Sequence, residues 1–257
     1  MDVNIFWGES GKCPLFRLSI YIKDKKGEEK MHTVHRVVIN LEMNPVSKNL
    51  KSIRAELPRE VIEIGAICVD ETNTIVDEFH CFVRPGFNDD IAPYITKLTG
   101  IRYCDVVDAV LFEEAIKRLE NWIGYDSETV MYSWSDSDYR QMALECQYKG
   151  ITYPKNMVDW VDFQSEYYET MEFESNCRQL SLHKAAEQFG IVMDEKKKHS
   201  ALYDAEITTE LLIPILTGTY RIQSEYMKKA GSMEYEENVF TLGDSFGKIF
   251  EEFLLTM

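Results

Sequence analysis

Five residues, widely separated along the chain, are of types that could do chemistry together: Asn40, Glu42, Asp138, His199 and Asp204. Asn40-Leu41-Glu42 closes a run that reads as a strand. Residues two apart on a strand point to one face, so positions 40 and 42 can aim at a single site. Asp138 stands at the start of a helical pattern, just after the apolar run Val130–Trp134. Asp204 follows His199 by five positions. On one regular helix that spacing turns through about 500° at ~3.6 residues per turn, so the two would face apart. His199 is therefore expected on the loop before the helix, folded back toward Asp204. The run Lys196-Lys197-Lys198 fits such a solvent-facing loop. Carboxylates gathered in one place are the oxygen ligands that hard divalent cations prefer. An imidazole titrating near neutrality suits proton transfer. Taken singly, each residue has a plainer reading. Glu42 could be a surface carboxylate, Asp138 and Asp204 first-turn acids favoured by the helix dipole, and His199 a solvated loop residue.

The elements that must position these residues are legible from periodicity. His35 to Leu41, Val61 to Val69 and Ile75 to Val83 read as three strands, the last closed by Pro85. A helix is expected over Leu111 to Trp122, with Phe112, Ile116 and Leu119 on one face and Gly124 as its stop. Asp136 is placed to cap a helix whose buried face is Tyr139, Met142, Ala143 and Cys146, ending at Gly150. Further helices are expected near Trp160–Thr170, Ser181–Phe189 and His199–Leu212. Three adjacent strands followed by strands interleaved with helices imply an α/β sheet of mixed parallel and antiparallel pairs. The chain divides into a preface at 1–33, with Phe16, Leu18, Ile20 and Ile22 alternating as in a strand, a main domain at 34–216, and a C-terminal helical extension at 217–257. The extension carries Phe246, Ile249, Phe250, Phe253 and Leu254 on one side, for docking on the domain or self-association with a second copy.

Composition bounds the function. Hydrophobic residues make up 45% and charged residues 28% of 257, ordinary for a globular protein, so disorder is excluded as the main state. Asp2, Glu9 and Lys12 occupy the place of a signal-peptide core, and the apolar run Leu211–Leu216 is broken by Pro214, so a cytoplasmic location without a membrane partner is expected. The six cysteines form no C-x-x-C pair and read as reduced, packed thiols. A net charge of −16 argues against broad, non-specific nucleic-acid binding, yet allows an enzyme that grips only a short strand end.

The ordered set of motifs is specific. Asn40-Leu41-Glu42, followed by Val61-Ile62-Glu63-Ile64-Gly65-Ala66-Ile67, resembles the first motif, D-x-E, and the strand after it in the DEDDh-type 3′→5′ exonuclease family. Val83-Arg84-Pro85 and Leu98-Thr99-Gly100-Ile101 are similar to the signposts that come next. Trp134-Ser135-Asp136-Ser137-Asp138 resembles the second motif in the branch that trims histone mRNA and small RNA, and His199 to Asp204-Ala205 the third, H-x(4)-D-A. The resemblance covers about residues 34–216 and implies a ribonuclease-H-like mixed sheet flanked by helices, working with two Mg²⁺ or Mn²⁺ ions. It implies Glu42 and Asp204 as ligands, Asp138 holding the second ion, His199 as general base, and Met43 against the terminal base of a single-stranded RNA or DNA 3′ end. Nucleoside 5′-monophosphates would be the products.

One position departs from the pattern: the family has Asp where this chain has Asn40. An amide still offers a carbonyl oxygen, but neither a negative charge nor a second carboxylate oxygen. Two classes of function follow, an exonuclease or a protein that keeps the fold as a nucleic-acid-binding or regulatory module. Glu42, Asp138, His199 and Asp204 favour the enzyme, whereas Asn40 and the net charge favour the second. Trp134 reads as core packing, and His80 and His183 as structural.

Overall fold

The structure, a computed structural model, describes residues 21–23, 29–31, 34–124, 128–171 and 179–220. Most of the strand expected over residues 16–22, and the amphipathic segment expected at 246–254, lie outside the described residues. Of the preface, β1 (Tyr21–Lys23) and β2 (Glu29–Met31) form a small antiparallel pair.

The three adjacent apolar runs form β3 (Val34–Pro45), β4 (Arg59–Val69) and β5 (Ile75–Arg84), an antiparallel meander. A short helix, α1 (Lys51–Glu56), bridges β3 and β4, and two more, α2 (Pro93–Thr99) and α3 (Tyr103–Val106), follow β5. Next come β6 (Val110–Leu111), α4 (Phe112–Ile123), β7 (Glu128–Ser133) and α5 (Ser137–Lys149). The region expected as one helix from Trp160 divides instead into β8 (Trp160–Asp162) and α6 (Phe163–Thr170). Asp162 accepts from the Ser165 amide at 3.1 Å, and this cap fixes where the helix starts. The chain closes through α7 (Leu182–Gln188) and α8 (Ala201–Thr217). Helix α8 runs past its expected end at Leu212 to Thr217, with Pro214 inside its last turn at the loss of one amide from the ladder.

The main sheet has the order β6-β5-β4-β3-β7-β8, with β7 and β8 parallel to β3, the mixed pattern expected. Alternation along β3 sorts its two faces. Val37, Ile39, Leu41 and Met43 enter a core with Phe112, Ile116 and Leu119 of α4 and Met142 and Cys146 of α5. Val38 enters a second core with Phe163, Tyr167, Leu182 and the α8 residues Ile207, Leu211 and Ile215. Asn40 and Glu42 share the Val38 face, so they point toward α8.

Gly65 lies opposite Asn40 in the β3–β4 ladder. A Cβ built there would meet the Leu202 amide nitrogen at 2.1 Å and the Ala201 carbonyl carbon at 2.3 Å. Only glycine lets the first turn of α8 rest directly on the sheet. This is the physical reason for glycine in the Ile62-Glu63-Ile64-Gly65-Ala66 run.

Helix α5 buries Met142 and Cys146 of its expected face, but the buried stripe turns toward polar residues and leaves Tyr139 out. Asp138, Gln141, Met142, Glu145 and Cys146 are its buried residues, whereas Tyr139 is 40% exposed. The buried polar groups are satisfied. Glu145 accepts from the Val61 amide at 2.9 Å, Gln141 at 3.0 Å and Lys149 at 2.7 Å. Lys149 also bonds the fully buried Glu60, which accepts from the Gly86 and Phe87 amides. Buried charges persist only when bonded in this way, and the network anchors α5 to the start of β4.

Candidate active site

The local geometry begins where β7 ends. Its last pairing with β3 is Tyr132 opposite Val38, so the Leu41 amide beyond that point has no partner on β7. It donates instead to Asp138 Oδ1 at 2.9 Å, from the first turn of α5. Asp138 is 4% exposed. A register shift between Glu42 and Met43 marks a bulge at the same point in β3, a device common beside sites because it re-aims side chains.

The entrance to α8 supplies the other side. Glu63, paired with Glu42 in the ladder, accepts from the Ala201 amide at 2.9 Å and from His80 Nε2 at 2.7 Å. It thereby satisfies one orphan donor of the helix N-terminus and pins it to β4. The preceding residue but one, His199, has φ of +62°, the left-handed region that side chains rarely adopt. That conformation places His199 ahead of the helix, as its spacing from Asp204 requires, and the last lysine of the preceding run, Lys198, pairs with Glu195.

All five residues singled out by type and spacing therefore converge. Glu42 is 2% exposed and its carboxyl is pushed well up, first by burial and then by the neighbouring charges of Asp204, Glu63 and Asp138. Burial likewise pushes Asp138 up to about 7, against the pull of the Leu41 amide and Arg59. His199 is held below its usual range, chiefly by burial, with Asp204 opposing and His183 and Lys198 reinforcing the shift. Among the described residues, no hydrogen-bond donor reaches Asn40 Oδ1, Glu42 Oε2 or Asp204 Oδ1, although all three oxygens are buried. Unpartnered buried oxygens are costly unless something positive comes to them. The donor set, these hard oxygens of β3 and α8 with Asp138 of α5, fits divalent cations.

Three neighbours escaped the sequence reading as site residues. Glu63 and His80 support the α8 entrance, and His80 is structural in the sense expected. His183 is not: its ring lies 4.9 Å from that of His199, and its Nε2 is 3.7 Å from Asp204 Oδ1. Nothing in its sequence surroundings marked it, since the contact joins two different helices. Met43, on the face opposite Glu42, is 5% exposed within the α4–α5 core and offers a ligand little surface. Trp134 packs on Phe163 and Tyr167, as expected.

Comparison with known proteins follows the same lines. The family model described as Exonuclease (RNase_T) matches residues 37–212. A PolC-type DNA polymerase III of Caldanaerobacter subterraneus subsp. tengcongensis is 27% identical over 70% of this chain and 12% of its own length. ERI1 exoribonuclease 2 of Xenopus laevis is 27% identical over 60% of this chain and 25% of its own. The chain thus spans a quarter or less of these two relatives. A solved nuclease domain of 3′hExo, described as a DEDDh family member bound to rAMP, superposes with a TM-score of 0.62 at 21% identity, covering 74% of this chain and 96% of that one.

Proposed function

Since the chain belongs to the exonuclease family, whose model spans residues 37–212, we propose that it removes nucleotides one at a time from the 3′ end of a single-stranded nucleic acid. The observation that carries this reading is the set of buried oxygens on Asn40, Glu42 and Asp204 that have no hydrogen-bond donor among the described residues, beside Asp138 and His199.

In this reading Glu42, Asp138 and Asp204, with the Asn40 carbonyl oxygen, would hold the divalent cations. Two Mg²⁺ or Mn²⁺ ions, when bound, stabilise the attacking and leaving oxygens of an in-line displacement at phosphorus. His199 accepts a proton from the attacking water. Its depressed basicity keeps it neutral and ready at pH 7. The water oxygen bonds to phosphorus, the bond to the 3′ oxygen of the preceding nucleotide breaks, and a nucleoside 5′-monophosphate leaves. Glu63 and Gly65 keep His199 and Asp204 within reach of β3. A module that merely binds nucleic acid would not need three carboxylates and an imidazole collected in one buried place.

The test uses 5′-labelled single-stranded RNA and DNA oligomers with Mn²⁺. The labelled strand should shorten stepwise from its 3′ end and release mononucleotides, and Asp204→Ala should stop the reaction. Failure of both the wild type and Asn40→Asp to shorten either oligomer would end the enzymatic reading.

A further inference from the structure

We propose that His183, His199 and Asp204 form a second kind of metal site, selective for imidazole-preferring transition ions such as Zn²⁺, and that filling it withdraws His199 from proton transfer. Metal binding rests on geometry alone; the consequence for turnover rests on the role proposed above for His199.

One ligand atom from each of the three residues lies within 4.8 Å of the other two. Ligands sharing one tetrahedral ion stand about 3.3 Å apart, given metal–ligand bonds of about 2.0–2.1 Å. His183 Nε2 and Asp204 Oδ1, at 3.7 Å, are close to that spacing already. The widest pair closes by side-chain rotation, since His183 and His199 are each only partly buried. The Asp204 oxygen that the catalytic ions would use also faces this pocket. Asp204 is 6% exposed, and its Oδ1, the atom facing His183, has no hydrogen-bond donor among the described residues.

The scaffold holds the three in place without the ion. His183 is in the first turn of α7, which begins at the Ser181 cap, where Ser181 Oγ accepts from the Lys184 amide. Asp204 is in the first turn of α8, and the two helices share a core of Leu182, Ala185, Ala186, Ile207 and Leu211. The left-handed backbone of His199 turns its ring toward His183. Lys198, the nearest cation to His199, is paired with Glu195.

Chemistry separates this site from the family's oxygen site. Two imidazoles and one carboxylate suit Zn²⁺, Co²⁺ or Cu²⁺, whereas Mg²⁺ keeps to oxygen. Three protein ligands leave a fourth position to water. A histidine nitrogen has one lone pair, which can accept a proton or bind a metal but not both. A metal on His199 therefore removes the base, and it also competes for Asp204. Turnover with Mn²⁺ should fall as Zn²⁺ rises.

The experiment titrates Zn²⁺ into the EDTA-stripped full chain by calorimetry and uses Co²⁺ for its visible spectrum. Wild type should bind one Zn²⁺ tightly, and Co²⁺ should show the visible absorption of a nitrogen-ligated, low-coordinate ion. His183→Ala and the bulkier His183→Gln each remove one ligand and should lose affinity roughly a hundredfold, together with the Co²⁺ bands. Glu42→Gln, which removes an oxygen ligand of the catalytic ions, should keep both. Equal Zn²⁺ affinity in wild type and the two His183 variants would overturn the proposal, as would loss of the Co²⁺ bands in Glu42→Gln but not in His183→Ala. Because these readouts need no hydrolysis, an inactive chain would leave them standing.

Discussion

An amide and a carboxylate fill nearly the same volume, so Asn40 changes the charge of the site while keeping its shape. Its Oδ1 is already buried and, among the described residues, free of donors, beside Glu42, whose carboxyl is pushed up by burial and three acidic neighbours. Adding a charge by Asn40→Asp should work in two opposite directions. Mg²⁺ affinity should rise by roughly 10- to 100-fold, since each ~1.4 kcal/mol of added attraction is tenfold. Metal-free stability should fall, because another carboxylate must be desolvated among like charges. Calorimetry with Mg²⁺ and a melting curve in EDTA check both; unchanged affinity with unchanged melting would place Asn40 outside the cation pocket. Glu63 predicts a different signature. Glu63→Ala strands the Ala201 amide and His80, at a cost of about 2–4 kcal/mol, whereas Glu63→Gln retains an acceptor and should lose less than half of that, as denaturant melts would report. The difference in legibility between these residues has a physical origin. Asn40, Glu42, Asp138, His199 and Asp204 are marked by what their functional groups can do at their spacing. Glu63 and His183 gain meaning only from partners on other elements, 138 positions away in the case of Glu63, and no local pattern carries that information.

The elements show the same division. Strands β3, β4 and β5 are plain in the sequence because each is dense in β-branched and other apolar residues over seven to nine positions. Helix α5 is legible with the apolar part of its buried face, Met142 and Cys146, but not with the polar part. Burying Asp138, Gln141 and Glu145 contradicts the apolar pattern, and it is tolerated because Val61 and Leu41 supply donors from other elements and Lys149 from the last turn of the helix itself. Similarly, β8 is three residues on the sheet edge, too short to leave a period. The contact that matters most between elements is that of β4 with α8 at Gly65. Gly65→Ala must push backbone against backbone, which no rotamer change relieves, so a loss of about 3 kcal/mol or more is expected. The displaced helix carries His199 and Asp204 away from Glu42, so Mn²⁺ affinity should fall as well. Gly100→Ala is the informative contrast. There φ is +79° with open space around the Cβ, so only backbone strain, about 1 kcal/mol, is at stake. Thermal melts paired with Mn²⁺ titrations separate the two. If Gly65→Ala binds Mn²⁺ like Gly100→Ala, the close approach of α8 does not position the site.

At the scale of the whole molecule, the site makes stability depend on pH in an unusual direction. A carboxyl raised in the folded state binds more protons folded than unfolded, so its contribution is complete at low pH and is lost as pH rises through the folded value. Asp138, moved from 3.8 to about 7, is one such group, and Glu42 is shifted the same way. For Asp138 alone the loss between about pH 4 and pH 7 amounts to at most about 4 kcal/mol, or on the order of 10 °C in melting temperature. His199 acts oppositely: its folded value lies below 6.5, so it destabilises only as pH falls beneath that point. The net charge of −16 grows more repulsive along the same rise in pH. The EDTA-treated chain should therefore melt at lower temperature at pH 8 than at pH 5.5. Divalent ions bind the ionised carboxylates, so their stabilisation must grow where the metal-free protein weakens. Saturating Mn²⁺ should accordingly restore the melting temperature at pH 8 and do little at pH 5.5, and Asp138→Asn should flatten the metal-free profile while reducing the Mn²⁺ response. A metal-free melting temperature that climbs from pH 5.5 to 8, with a Mn²⁺ increment independent of pH, would mean that these buried carboxyls are not the proton-linked groups that govern the fold.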